Sequence, residues 1–387
     1  MSEIKVNSIK GVGASTAAIT VNNTDGTCTA NITNNLSNRN KVINGGMVVK
    51  QRADLTMTTT STYSLDRFIA QVGSSFNWSS ATVTQSTTSP DGFGKSLKVD
   101  IASTNTPTGS QNGLIQTKIE GQDLQDLAYG TSSAKQCILS FYVRSNKTGT
   151  YCVQIANTGN TKYVLFEYTI NSADTWERKS VTFSGNTANT INNDNAIGFE
   201  INFHLATGSS DHVSATSTWT TYSGGSFLAT SNQVNLFDNA SNEWYLTGVQ
   251  LEVDHTGSGV ATDFEHRSYG DELLKCQRYY EHSYNTGIAV GANSNVGGYL
   301  QSLTSDNGNN ATFSIEYKVQ KRAVPSLAFY ADDGTANQWN YGRNGASGQA
   351  SVTGHRSSQT HCNGYVNVGA AWVPCYVLGH WTSASEL

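Results

Sequence analysis

The sequence predicts an all-β protein: an antiparallel jelly-roll sandwich over residues 42–262, a short connector helix over 263–283 and a smaller C-terminal β-sandwich domain over 284–387, preceded by a short extended N-terminal segment, 1–41. Three observations predict it. Charged residues make up only 14% of the 387-residue chain while Gly, Asn, Ser and Thr are abundant, which favours strands joined by polar turns over long solvated helices. Apolar residues recur at every second position through most of the chain. Turn-rich stretches such as "STTSPDGFGKS", "RSNKTGT" and "FSGNTANTINNDN" separate these runs, and the long polar connections favour a jelly roll among the sandwiches.

The N-terminal segment carries "AITV" and "CTANIT" around "NNTDGT", short polar strands with few large apolar residues. Such a segment buries little by itself and orders against something else. Its first residues, "MSEIKVNSIK", put Glu3 where a secretory leader needs positive charge, so no leader is expected.

Within the roll, "LSFYVRS" sets Leu139, Phe141 and Val143 opposite Ser140, Tyr142 and Arg144. "IGFEINFHL" sets Ile197, Phe199, Ile201, Phe203 and Leu205 opposite Glu200, Asn202 and His204, and "YLTGVQLEV" aligns Val249, Leu251 and Val253. These are half-buried antiparallel strands. The connector "DELLKCQRYYEH" has no Gly or Pro and spaces Leu273, Cys276 and Tyr280 at helical intervals, with Gly270 and Asp271 at the helix start. Its simplest role is to close the roll and position the last domain. Glu265, His266, Asp271 and Glu272 lie close by, but no spacing among them demands catalysis. In the last domain "ATFSIEYKV" sets Ala311, Phe313, Ile315, Tyr317 and Val319 against Thr312, Ser314, Glu316 and Lys318.

Charge narrows the function classes. With 24 basic and 29 acidic residues the net charge is -5, and the basic residues are scattered, so no nucleic-acid partner is expected. No apolar run has membrane-spanning length, so no membrane insertion is expected. The cysteines, Cys28, Cys137, Cys152, Cys276, Cys362 and Cys375, are too widely spread for a disulfide framework and read as free, mostly buried thiols. His361, Cys362 and Cys375 fit no tetrahedral zinc spacing. The chain lacks a nucleophile elbow, a P-loop, a complete dinucleotide fingerprint and an H-E-x-x-H motif. No catalytic residue is assigned, and the chain reads as a non-enzyme.

Several segments taken together resemble a family of bacteriophage virion proteins, the tail fibres or minor structural proteins of tailed phages from marine and aquatic bacteria. They are "VINGGMVVKQRA", "YSLDRF", "LSFYVRSNKTGTYCV", "NEWYLTGVQLEV", "FEHRSYGDELLKCQRYY" and "GHWTSASEL". The likeness runs from about residue 42 to 387, with an echo in "MSEIKVNSI". It implies a jelly roll similar to carbohydrate-binding modules, carried on a usually trimeric virion protein made in the host cytoplasm. The N-terminus would face the particle and its other proteins, and the C-terminal domain would face host surface polysaccharide. No catalytic set carries over.

Under that resemblance the connector residues Leu273, Cys276, Tyr279 and Tyr280 become trimer candidates, the two tyrosines packing around a three-fold axis if exposed. The one ion the resemblance allows is a structural calcium; Asp66, Asp238 and Asp254 are its candidate ligands, each equally readable as a turn or surface carboxylate. Sugar binding needs an aromatic face beside amides and carboxylates. Two loops mix these types: "STWTTYSGGS", with Trp219 and Tyr222, and "DDGTANQWNYGRN", with Asp332, Asp333, Asn337, Trp339, Asn340, Tyr341 and Arg343. Trp339 and Tyr341 read equally well as an inward-facing strand pair, and Trp381 reads as core. The rival function is a virion-associated polysaccharide depolymerase using carboxylates such as Asp174 and Glu177. A capsid decoration without receptor binding is the third.

Overall fold

Period-two alternation folds as expected, and it does so in a nested order. The computed structural model describes residues 6–9, 19–21, 24, 28–30, 38–78, 81–157, 159, 161–222, 229–255 and 257–387. The N-terminal segment and its proposed anchoring role therefore lie mostly outside the described residues; what is described there is a small sheet of β1 (Ser8–Ile9), β2 (Ile19–Val21) and β3 (Cys28–Ala30).

The roll starts with β4 (Leu55–Thr56), β5 (Thr62–Leu65), β6 (Phe68–Gly73) and β7 (Thr82–Ser86). Then come β8 (Ser96–Asp100), β9 (Asn112–Glu120), β10 (Cys137–Ser145), β11 (Gly149–Asn157) and β12 (Lys162–Ile170). It ends with β13 (Glu177–Phe183), β14 (Ile197–Thr207), β15 (Thr216–Thr221) and β16 (Glu243–Val253). One sheet has six strands in the order β13-β10-β16-β8-β7-β4, and the other seven, β15-β12-β11-β14-β9-β6-β5. Antiparallel pairing is nested: β8 with β16, β9 with β14, β10 with β13 and β11 with β12. That nesting, from β8 with β16 inward to β11 with β12, defines a jelly roll. Edge-to-face aromatic pairs fill the space between the sheets; Phe141 sits 5.0 Å from both Phe203 and Tyr168.

The connector is shorter than predicted. Helix α1 spans Tyr269–Gln277, and Ser268, rather than Gly270 or Asp271, is its N-cap, accepting from the Asp271 amide at 3.2 Å. Tyr280 belongs to a strand, β17 (Tyr280–His282), of the last domain. That domain continues with β18 (Tyr299–Thr304), β19 (Asn310–Glu316), β20 (Ser326–Tyr330), β21 (Gln338–Arg343), β22 (Ala346–His355), β23 (His361–Asn367) and β24 (Pro374–Ala384). The long β24 joins two layers: its first half pairs with β18 and β21, its second half with β17 and β20. The core between them holds Phe313, Ile315, Phe329, Trp339, Val377 and, as expected, Trp381.

The charged stretch around α1 proves to be a joint. Glu265 accepts from the Asn40 amide at 2.8 Å, and Arg267 donates to the Val42 carbonyl at 3.1 Å. Glu272 accepts from the Asn44 amide. Both carboxylates also flank the Arg267 guanidinium, at 3.4 and 3.5 Å, so each is engaged in fixing backbone and in an ion pair. The other carboxylates weighed for catalysis are equally occupied: Asp174 pairs with Arg144 at 2.8 Å and Glu177 binds the Asn171 amide at 2.7 Å. Tyr279 and Tyr280 are buried within the chain, with the Arg67 and Arg52 guanidiniums 3.5 and 3.7 Å from their ring centres. The exposure that a tyrosine-lined three-fold axis needs is therefore missing. Cys276 is buried with them, while Leu273 is half-buried and the neighbouring Leu274 faces solvent.

Buried thiols are found at Cys137, Cys152, Cys276, Cys362 and Cys375, all free. The three candidate calcium ligands stand apart. Asp66 binds the Gln51 amide at 2.7 Å, Asp238 pairs with Lys147 at 2.6 Å and Asp254 binds the Gly259 amide at 2.7 Å. Among the described residues no three His, Cys, Asp or Glu side chains come together as a metal site.

On the outward face of the seven-stranded sheet, Gln116 donates to Asn202 at 2.7 Å and Asn202 to Gln154 at 3.0 Å, all buried, with His204 fully buried on the same face. Burial alone lowers the His204 imidazole to about 3, against about 6.5 in an unfolded chain. Below that value the unfolded state binds a proton that the fold refuses, so this contribution is complete above pH ~6.5 and is lost as pH falls toward 3. About 2 kcal/mol should disappear between pH 7 and pH 5. Urea midpoints across that range should flatten in His204→Leu; if the wild-type and variant curves stay parallel, the buried imidazole is not the cause.

Candidate functional site

Along "PCYVLGHW", the start of β24, Cys375, Val377 and Trp381 face the core, so Pro374 and Tyr376 face outward. Tyr376 lies opposite Ser302 of β18 on one side and Gly342 of β21 on the other, and Gly342 lies opposite Ser347 of β22. Glycine is required there for space. A Cβ at Gly342 would come within 2.3 to 2.6 Å of the Tyr376 ring and hydroxyl, so the bare glycine lets the ring lie across the strand. Its other face remains available, and the residue is 42% exposed. Beside it runs a groove of about 670 Å³ lined by Ser302, Leu303, Arg343, Ser347, Cys375 and Tyr376.

The turn between β23 and β24 adds a second aromatic. Trp372 is 68% exposed and has φ 55°, a left-handed conformation that is rare for a bulky residue and costs about 1–3 kcal/mol. Hydrogen bonds hold the turn in place: Ser305 Oγ donates to the Ala370 carbonyl at 2.7 Å and accepts from the Val373 amide at 3.1 Å. The neighbouring Gly369 amide donates to the Asn367 side chain at 3.0 Å. Indole and phenol, both exposed and four positions apart, supply flat apolar faces; the Ser302 and Ser347 hydroxyls beside Tyr376 supply directional partners. That is the combination a sugar ring asks for.

Of the predicted glycan residues only Arg343 belongs to this groove. Trp339 is fully buried; its Nε1 donates to the His380 carbonyl at 2.9 Å and its ring packs on Phe313 at 4.4 Å. The inward-facing alternative is the one the fold adopts, and Tyr341 follows it, half-buried against the same core. Asp332 and Asp333 fix the turn before β21: Asn340 donates to Asp332, and Asp333 accepts from the Thr335 amide at 2.9 Å and from Gln349 at 2.7 Å. Asn337 supplies a left-handed backbone, φ 61°, in that turn. Trp219 stacks on Phe199 at 5.4 Å and donates to the Ser184 carbonyl at 2.9 Å, and Tyr222 packs on Tyr163 at 4.9 Å. Those aromatics are structural in their contacts.

Trp372 and Tyr376 escaped the sequence reading although a signal existed. Counting in twos back from Val377 and Trp381 puts Tyr376 outside, and a Trp placed between "GAA" and "VP" stands in a turn.

No family model and no curated protein matches the chain. Among solved structures it is similar to a candidate sugar-binding protein from Bacteroides thetaiotaomicron, with TM-score 0.33 and 12% identity over 55% of this chain and 99% of that one. It is also similar to the enzymatically active domain of tailspike protein 4 of bacteriophage CBA120, with TM-score 0.28 and 14% identity over 56% of this chain but 21% of that one. A third is the family 11 carbohydrate-binding module of Clostridium thermocellum in complex with a mixed-linked tetrasaccharide, with TM-score 0.26 and 12% identity over 56% and 100%. The jelly-roll assignment rests on the nested strand pairing itself.

Proposed function

We propose that the protein is a bacteriophage attachment protein, a virion fibre or knob, that binds surface carbohydrate through the Tyr376 groove of its C-terminal domain, with the exposed Trp372 on the adjoining turn. One observation carries the binding: Tyr376 is held outward across Gly342 beside a groove of about 670 Å³ that Ser302 and Ser347 also line, and Trp372 stands exposed on the turn that precedes it. The virion placement and trimeric state are supported by the resemblance of the segments between residues 42 and 387. The jelly roll then acts as a rigid carrier, and binding rather than catalysis is the activity. A millimolar site is worth only about 4 kcal/mol, but three sites on a trimer and several trimers on a particle raise avidity by about 10² to 10⁴.

The test is binding to a panel of bacterial surface polysaccharides, alongside the mass of the intact chain by light scattering. Tyr376→Ala and Trp372→Ala should each weaken the best binder at least tenfold without moving the melting temperature by more than a few degrees. Wild-type affinity in both variants would exclude the groove. A monomeric mass would remove the fibre geometry and leave the groove standing.

A further inference from the structure

The strand register sets a length on the groove beside Tyr376. Ser302 of β18, Tyr376 of β24, Gly342 of β21 and Ser347 of β22 lie opposite one another across four neighbouring antiparallel strands, and residues directly opposite share a face of the sheet. Both serines are exposed, as Tyr376 is. Three interstrand steps of about 4.8 Å make the row about 14 Å long, roughly the length of three linked sugar rings.

The chemistry changes along that length. In the middle the phenol lies over Gly342, where a Cβ would stand 2.3 Å from the ring, and it turns one broad apolar face outward. At each end stands a hydroxyl that can both donate and accept. Among the described residues no further strand closes the row: β18 pairs with β24 alone, and residues 346–351 of β22 pair with β21 alone. A chain laid across the strands can therefore continue past both ends.

The row carries no ionisable side chain except the phenol itself. Arg343 pairs with Cys375 and so lies on the other face of β21. The next row along, Leu300, Leu378, Asn340 and Gln349, is uncharged as well. Its two amides are held by carboxylates, Asn340 donating to Asp332 and Gln349 to Asp333 at 2.7 Å. An acidic sugar on this face would give up hydration and meet negative charge, whereas a neutral one needs only the hydroxyls and the ring.

We infer that the groove takes an uncharged stretch of about three sugar units from within a glycan chain, laid across β18, β24, β21 and β22. Tyr376 supports the middle ring, and Ser302 and Ser347 hydrogen-bond the rings on either side. This rests on the carbohydrate reading of the same groove.

The test titrates the full-length protein with neutral oligosaccharides of graded length, from one to six units, cut from glucan, mannan, galactan and xylan, with hexuronate trimers beside them. For the class that binds, affinity should rise at least tenfold from the single sugar to the trisaccharide and less than twofold beyond it. Capping both ends of the hexasaccharide should leave its affinity unchanged. Ser302→Ala and Ser347→Ala should each weaken the trisaccharide about threefold to tenfold, the loss of one hydrogen bond. The double variant should lose the advantage of the trisaccharide over the disaccharide. Ser347→Thr, which keeps a hydroxyl, should lose least.

Affinity that climbs steadily to six units, binding that end-capping abolishes, a tighter-bound hexuronate, or wild-type trisaccharide affinity in both serine variants would each overturn the inference, while a persisting dependence on Tyr376 kept the carbohydrate reading. If no member of the panel binds, both fall. Melting curves guard against a folding defect in the variants, and the length profile of the wild-type protein decides the matter without them.

Discussion

Glu386→Ala is expected to separate the melting of the two domains and to cost about 3–5 kcal/mol, the range found when one member of a buried ion pair is removed. Glu386 reaches back from the segment after β24 to the roll, where it pairs with Arg52 at 2.7 Å and with Arg67. Arg67 is 1% exposed and Arg52 13%, so neither guanidinium can recover full hydration after the carboxylate is lost. Both cations also lie over Tyr279 and Tyr280, at the boundary between α1 and the last domain. A single side chain therefore holds the end of β24, the helix exit and the roll together.

Part of the loss is softened by what remains. Arg52 keeps Asp66 at 3.5 Å, and Arg67 keeps the Lys118 carbonyl at 2.7 Å. Across the same joint Glu120 receives both Arg278 Nε and Nη2 at 2.8 Å together with the Tyr279 hydroxyl. Burial opposes its ionisation, but the hydrogen bonds from Arg278 and Tyr279 prevail and hold its pKa below the usual value. Glu386→Gln, which can still accept a hydrogen bond, should fall between wild type and alanine. Calorimetry and limited proteolysis near residues 255–268 read the outcome; one cooperative transition within about 1 kcal/mol of wild type would mean that the pair does not couple the domains.

The fold was legible because its strands are long and their inward faces are strictly apolar. Phe199, Ile201 and Phe203 announce a buried face on any reading of period two, and they lie in the core. The site was less legible because composition cannot separate aromatic residues in loops from those in strands. "QWNYGR" looked like a sugar loop, yet it is β21, where Trp339 points inward and only Arg343 at the strand end reaches the groove. The helix start was misplaced by a different cause: Ser268 caps as well as Asp271, and only geometry shows which side chain accepts the amide. The outward face of β16 was also invisible in sequence. Gln250 and Glu252 look solvent-facing by alternation, but Glu265 and Thr262 cover them with backbone hydrogen bonds at 2.8 and 2.9 Å.

Removing Glu281 should be comparably damaging, for a reason local to the last domain and the end of α1. Lys321 and Glu281 are 0% and 1% exposed and form an ion pair; Lys321 Nζ also donates to the Gln277 carbonyl, the last residue of α1. Burial lowers the Lys321 pKa and the Glu281 carboxylate opposes that fall, leaving it below its usual value. Glu281→Gln takes away the opposing charge. A lone buried ammonium then costs about 3–5 kcal/mol at pH 7. Its folded pKa drops further below the unfolded value of about 10.4, so between those two values the unfolded state holds the extra proton and stability rises with pH. The deficit of Glu281→Gln should accordingly shrink as pH is raised from 7 toward 10, whereas that of an ordinary packing defect would not. Glu281→Leu combined with Lys321→Met should restore most of the loss, since an apolar pair of similar volume needs no counter-charge. Denaturant midpoints for Glu281→Leu, Lys321→Met and the double variant, at both pH values, give the coupling energy directly. Additive losses, or a Glu281→Gln deficit that ignores pH, would show that the lysine is not held as a buried cation.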